Sequence, residues 1–221
     1  MVPGVKISII TPVGPGHQRY TQPADSICID DHHGKLGRSK ARNIGMEMAK
    51  DSDWFFFHDA DDELVTDAHD IMLKAIADNP EAKAIFGTIG GWSSNGREIP
   101  QEIHNLYPAT WDEVVNGDTL GLFSISALYR APEARAIGFK EDLDTTETLE
   151  FSMAFIAQHP WVKTRDVFSL AHCDRPSAGG PRGYGPIDWH AQLRPLLAWW
   201  RKRGRVPLTA DVRHSKKEYW K

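Results

Sequence analysis

The 221-residue sequence predicts an α/β protein in which a mostly parallel sheet is flanked by helices, and three observations carry that prediction. Short apolar runs rich in β-branched or aromatic residues alternate with segments whose apolar residues recur at helical spacing. Several of these runs are apolar at consecutive positions, the pattern of strands covered on both faces. No Gly/Ser tract or charge block splits the chain, and 41% hydrophobic with 25% charged residues is ordinary for one folded domain.

Taken in order, residues 5–11 form a strand that stops at Pro12 and the Gly14-Pro15-Gly16 turn. Residues 26–29 form a second, ending in Asp30 and Asp31. With Ser39 as N-cap, Ala41, Ile44, Gly45 and Met48 then recur at helical spacing, and the helix should end near Lys50. The run Trp54-Phe55-Phe56-Phe57 has the bulk of a fully buried strand and is terminated by His58-Asp59-Ala60-Asp61-Asp62-Glu63. Thr66 is the expected cap of a helix with Ala68, Ile71, Met72, Ala75 and Ile76 on its apolar face, closed by Asn79-Pro80.

Residues 84–89 make another strand, followed by a loop holding Gly90-Gly91 and Asn95-Gly96. A strand over 122–129, a helix over 147–158 and a strand over 166–171 complete the alternation. Residues 173–186 are dense in Gly and Pro and read as a loop. Beyond them Trp189, Leu193, Leu196, Leu197 and Trp200 share one helical face, with Arg201-Lys202-Arg203 at the end where the helix dipole favours cations. The division that follows is a domain over 1–190 and a basic, aromatic helix and tail over 191–221.

Charge is unevenly spread. Residues 194–221 hold nine Lys or Arg against Asp211 and Glu218, a net +7; with −4 for the whole chain, the other 193 residues carry −11. Two cysteines, Cys28 and Cys173, are too few for a disulfide framework, and a strand-like start in place of a signal sequence predicts a cytoplasmic setting, that of the host if the gene is a phage's. No window approaches the roughly 18 apolar residues of a membrane span.

Asp59, Asp61 and Asp62 crowd the end of the buried strand, where like charges repel unless a hard cation or a field of donors sits among them. Oxygen ligands suit Mg²⁺ or Mn²⁺, ions that also clamp a diphosphate. A short acidic triplet alone is more often a solvated turn. The context is residues 38–62, RSKARNIGMEMAKDSDWFFFHDADD. This resembles the nucleotide-sugar-binding half of glycosyltransferase family 2 and its GT-A relatives, in which an A-R-N-x-G helix precedes an apolar strand ending in D-A-D-D.

The resemblance implies a GT-A, Rossmann-like fold and a metal-dependent transferase that uses a nucleotide-diphosphate sugar, most simply a UDP-sugar. It implies Asp59 near the ribose and the metal, Asp61 as a metal ligand, and Arg38, Arg42 and Asn43 in the donor site. Thr11 and Pro12 match the end of the family's first strand, and Asp30 or Asp31 the acid that faces the nucleobase. The stretch between Pro12 and Gly34 is shorter than usual in the family.

Gly138-Phe139-Lys140-Glu141 and then Thr146-Glu147-Thr148 resemble the family's G-F-x-E followed by an E-D pair, whose Asp deprotonates the acceptor in inverting members. Thr148 stands where that Asp belongs, which leaves Glu147, at a helix start, as the catalytic base, with Glu150 on the same face. The resemblance also implies His172 as the third metal ligand. The Gly/Pro loop reads either as a lid, whose Arg182 would counter the diphosphate, or as a passive connector.

The acceptor is left open among three readings. Trp199 and Trp200 with Arg201, Lys202 and Arg203 would suit DNA, including a hydroxymethylated base, because bases stack on aromatic rings and phosphates attract cations. The same residues would serve a helix that meets a lipid-linked or surface polysaccharide acceptor at a membrane, or one that only packs onto the domain. A non-catalytic nucleotide-sugar-binding protein is the alternative outside the transferases, and a metal-dependent nuclease leaves the A-R-N-x-G helix without a role.

Overall fold

The computed structural model describes residues 4–15, 26–92, 98–99, 110–116, 126–143, 146–172 and 189–205. Its strands are β1 (Ile7–Val13), β2 (Ile27–Asp30), β3 (Trp54–Phe57), β4 (Glu63–Leu64), β5 (Ala84–Trp92), β6 (Glu98–Ile99), β7 (Ala127–Arg130) and β8 (Trp161–His172). Its helices are α1 (Arg38–Met48), α2 (Ala68–Asp78), α3 (Trp111–Asn116), α4 (Ala131–Ile137), α5 (Glu147–Gln158) and α6 (Trp189–Arg203).

One sheet runs β2-β1-β3-β7-β5-β8-β4, with β6 beside β5. β1, β2, β3, β5 and β8 point the same way, β7 lies antiparallel between β3 and β5, and the two-residue β4 and β6 are antiparallel to their partners. The sheet is therefore mostly parallel, and consecutive apolar residues in its strands follow from burial on both sides. Phe55 and Phe57 enter one core with α1, α4, α5 and α6, while Trp54 and Phe56 enter the other with α2. All four are buried.

The A-R-N-x-G segment has a packing logic visible only here. Ala41 and Arg42 are fully buried on the sheet side of α1. A Cβ on Gly45 would stand 2.3 Å from Ile10 Cγ2, so only glycine lets α1 lie this close to β1. The helix starts one residue before Ser39, after Gly37, whose φ of 79° suits glycine. Ser39 is thus no cap; its hydroxyl is buried inside the helix without a hydrogen-bond partner.

Other expectations are corrected in the same way. Asp67, not Thr66, precedes α2. Gly90 and Gly91 belong to β5, since Leu170 and Ala171 of β8 pair with them. β8 begins at Trp161, five residues earlier than read, and the polar Lys163-Thr164-Arg165 stretch is accommodated where its pairing with β5 is irregular. β7 keeps the end of the expected 122–129 strand, of which 122–125 lie outside the described residues. The helix over 147–158 is found as read, while α3 and α4 were not read at all.

Candidate functional site

The acidic cluster leaves the carboxyl end of β3. β1 connects to β2 on one side and pairs with β3 on the other, so the chain reverses there. A crevice at the carboxyl ends of such strands is where open α/β sheets take ligands.

Arg42 is the centre of the site. Its side chain is 0% exposed; it donates from one terminal nitrogen to Asp59 Oδ1 at 2.8 Å and from the other to Glu147 Oε1 at 3.0 Å. Arg38 Nε lies 3.4 Å from the same Glu147 oxygen. A fully buried guanidinium requires such partners, because an unpaired charge there would cost several kcal/mol. The arginine thus ties the end of β3 to the start of α5, elements separated by 88 positions from Asp59 to Glu147. Phe139 lies beneath the guanidinium, 5.3 Å from ring centre to Cζ, and stacks on Phe151 of α5 at 4.1 Å.

Glu147 is 2% exposed, and its second oxygen, Oε2, is buried without a hydrogen-bond partner. Glu150, also buried, meets Lys140 Nζ at 3.1 Å through its Oε1. Asp59 remains 29% exposed and Asp61 partly so, while Asp62 is buried at the turn that Asp62 N closes on Asp59 O. His58 is buried with both ring nitrogens unpartnered, and burial pushes its pKa down to about 4 against the pull of Asp59.

Among the described residues no three His, Cys, Asp or Glu side chains converge as a closed metal cage. The donor set does fit a cation shared with a substrate, since Mg²⁺-type sites use one or two carboxylates together with phosphate oxygens and water. β4 and β8 are antiparallel with Glu63 opposite Leu170. That pairing begins at Glu63, Asp61 lies in the turn before it, and His172 is the last residue of β8, paired with Trp92 of β5. The side chain of His172, and Arg182 with the whole 173–188 segment, lie outside the described residues.

Thr11 and Pro12 are buried in β1, paired with Cys28 and Ile29 of β2. Of the two acids that follow β2, Asp31 is fully engaged: its oxygens accept from the backbone nitrogens of Lys35, Leu36 and Gly37 at 2.7 to 3.1 Å. Burial acts to raise its pKa, but these donors and His33 outweigh that and hold it below the usual aspartate value. Asp30 is exposed, with His32 Nε2 at 3.8 Å. Asp31 therefore builds the turn into α1, and Asp30 is the acid that faces outward.

Asn43 is likewise a structural clip. Its amide donates to Phe139 O at 2.9 Å and accepts from Phe139 N at 2.8 Å, and it reaches Glu141 at 3.1 Å. This role and the ion pairs of Glu147 were missed from the sequence, because both span about a hundred positions that no local pattern links.

The final helix separates its residues sharply. Trp200 is fully buried against Trp111 and Trp199, so as folded it cannot stack on an acceptor base. Trp199 is partly buried with Arg203 over its ring, and Arg201 donates to Val115 O of α3 at 2.6 Å. Lys202 is exposed.

A family model for glycosyl transferase family 2 matches residues 17–138. No curated protein matches the chain. Among solved structures, residues 1–349 of TarS from S. aureus in complex with UDP-GlcNAc superpose with a TM-score of 0.63 at 15% identity, covering 91% of this chain and 68% of that one. The longer TarS chain gives 0.62 at 16%, and this chain spans 40% of it. TarS 1–349 with UDP gives 0.60 at 16% identity, covering 91% of this chain and 67% of that one. At these identities the likeness is one of fold.

Proposed function

The chain belongs to glycosyl transferase family 2 and is a glycosyltransferase, and from that premise we propose that it moves a sugar from a nucleoside diphosphate, UDP foremost, to an acceptor hydroxyl. The observation that carries the reading is the buried Arg42, which holds an acid of the β3 cluster and an acid of the α5 start on one side chain. A binding site and a reaction site are thereby fixed against each other.

In this reading Thr11, Pro12 and Asp30 receive the nucleoside, and Arg38 and Arg182 counter the diphosphate. Asp31 and Asn43 act indirectly by shaping the turn into α1 and the loop before α5. Asp59 and Asp61, with His172 as third ligand, would hold Mn²⁺ or Mg²⁺, which neutralises charge on a departing diphosphate when bound. Glu147 Oε1 is committed to Arg42 and Arg38, which leaves Oε2, an atom buried in this structure, to take the proton of the acceptor hydroxyl once acceptor binding uncovers it. The oxygen so freed attacks the anomeric carbon as its bond to the diphosphate breaks.

The second reading is a nucleotide-sugar-binding protein without turnover, favoured by Thr148 at the family's base position and by the two guanidinium groups on Glu147. One experiment addresses the donor itself. With Mn²⁺ present, nucleotide sugars at about 100 times their Kd should stabilise the fold by about 2.7 kcal/mol, and EDTA should abolish most of that gain. No stabilisation by any UDP-, GDP- or TDP-sugar would remove the proposal.

A further inference from the structure

The last helix contains no acid from Trp189 to Arg203, and its apolar residues Leu196 and Trp200 are spent on the core. Among the side chains of this helix whose burial is described, the exposed charged ones are all basic. Arg194, Arg201, Lys202 and, just past the helix, Arg205 are exposed, and among the described residues none of the four is in an ion pair. Arg194 and Arg201 are seven residues apart and so share a face about 10 Å long, with Lys202 beside them. The adjoining α3 offers Asp112 and Glu113, and Glu113 is already held by Thr110.

On a body of net −11 this basic face is a patch of opposite sign, where a polyanion is attracted while the acidic remainder of the surface repels it. An interfacial helix needs a free apolar face to bury in lipid, and here Leu196 and Trp200 of that face are already inside the protein. The cations continue in the sequence as Arg213, Lys216, Lys217 and Lys221, interleaved with Tyr219 and Trp220, a composition suited to phosphates and bases together.

We infer that the solvent face of α6, with Arg194, Arg201, Lys202 and Arg205, is the docking surface for the phosphate backbone of a DNA acceptor. The inference rests on the transferase reading for its purpose, and on the charge of this face for its chemistry. The aromatic residues of the helix take no part, since Trp200 is core and Trp199 carries Arg203.

The test is fluorescence anisotropy of the full chain with a labelled duplex of arbitrary sequence. Four phosphate contacts give a log–log salt slope of about −3.6, so affinity should fall on the order of 100-fold between about 50 and 200 mM salt. Arg194→Gln with Lys202→Gln removes two contacts without touching the bonds that Arg201 and Arg205 make to Val115 and Ile156, and should reduce the slope by about 1.8. An Arg201→Gln, Arg205→Gln pair should give the same reduction by a separate route. No duplex binding at the lower salt, an unchanged slope in both variants, or binding only to equimolar phosphatidylcholine and phosphatidylserine vesicles overturns the inference. Donor stabilisation without duplex binding defeats this inference alone; duplex binding without donor stabilisation defeats the transferase reading and leaves the surface standing.

Discussion

Removing the guanidinium of Arg42 is the perturbation with the largest consequence. Arg42→Met leaves Asp59 without its 2.8 Å donor and Glu147 without its 3.0 Å donor, in a place where the arginine itself is 0% exposed. Charge-assisted hydrogen bonds contribute about 1.5–3 kcal/mol each, so two give roughly 3–6 kcal/mol, in line with the 3–5 kcal/mol cost of breaking a buried pair. Arg38, still 3.4 Å from Glu147, and the partial exposure of Asp59 place the value near the lower end, about 3 kcal/mol. For a chain of this size that lowers the melting temperature by about 6–12 °C.

Differential scanning calorimetry measures this directly, with Arg42→Lys as a milder variant that keeps the charge and loses the fork. Adding Glu147→Leu to Arg42→Met should recover part of the loss, because the buried acid then has no charge to leave unpaired. A fall under about 3 °C for Arg42→Met, or losses that simply add in the double variant, would refute a buried triad centred on this arginine.

Gly45→Ala should cost about 1–3 kcal/mol in chemical denaturation, since the new methyl meets Ile10 at 2.3 Å; an unchanged midpoint contradicts the close approach of α1 to β1. Asp31→Asn should loosen the turn before α1. Because the folded pKa of Asp31 is below its ordinary 3.8, its contribution is present above that pH and is lost as pH falls through the lowered folded value. The stability gap between parent and Asp31→Asn should therefore close in acid, and a gap that widens there refutes the assignment. His58→Leu replaces a buried ring with two unpartnered nitrogens and should leave the protein as stable or more so at neutral pH, read from urea unfolding.

How much of this was legible in the sequence depended on distance along the chain. β3 and the acids behind it were readable because four aromatic residues followed by carboxylates are a local pattern. α5 was readable from its apolar spacing, to both ends. The seven-residue α4 and six-residue α3 are too short to show a period, although Pro132 at the start of α4 was a usable signal. β5 was cut short because Gly90-Gly91 resembles a turn, and only the pairing with β8 makes it strand. The site itself was half visible: Arg42 and Glu147 could be singled out by resemblance, but not the contact between them. Trp200 was left open between acceptor and core because an aromatic residue beside cations reads alike whether it faces a ligand or the core.

The central claim is that Asp61, at the carboxyl end of β3, serves sugar transfer from a nucleoside diphosphate. Release of UDP from UDP-sugars in the presence of Mn²⁺, compared between the parent chain and Asp61→Ala, tests it most directly. The account predicts release by the parent and a loss of about two orders of magnitude in a variant that still folds. Equal release by both proteins, or none by a parent that binds the donor, would contradict it.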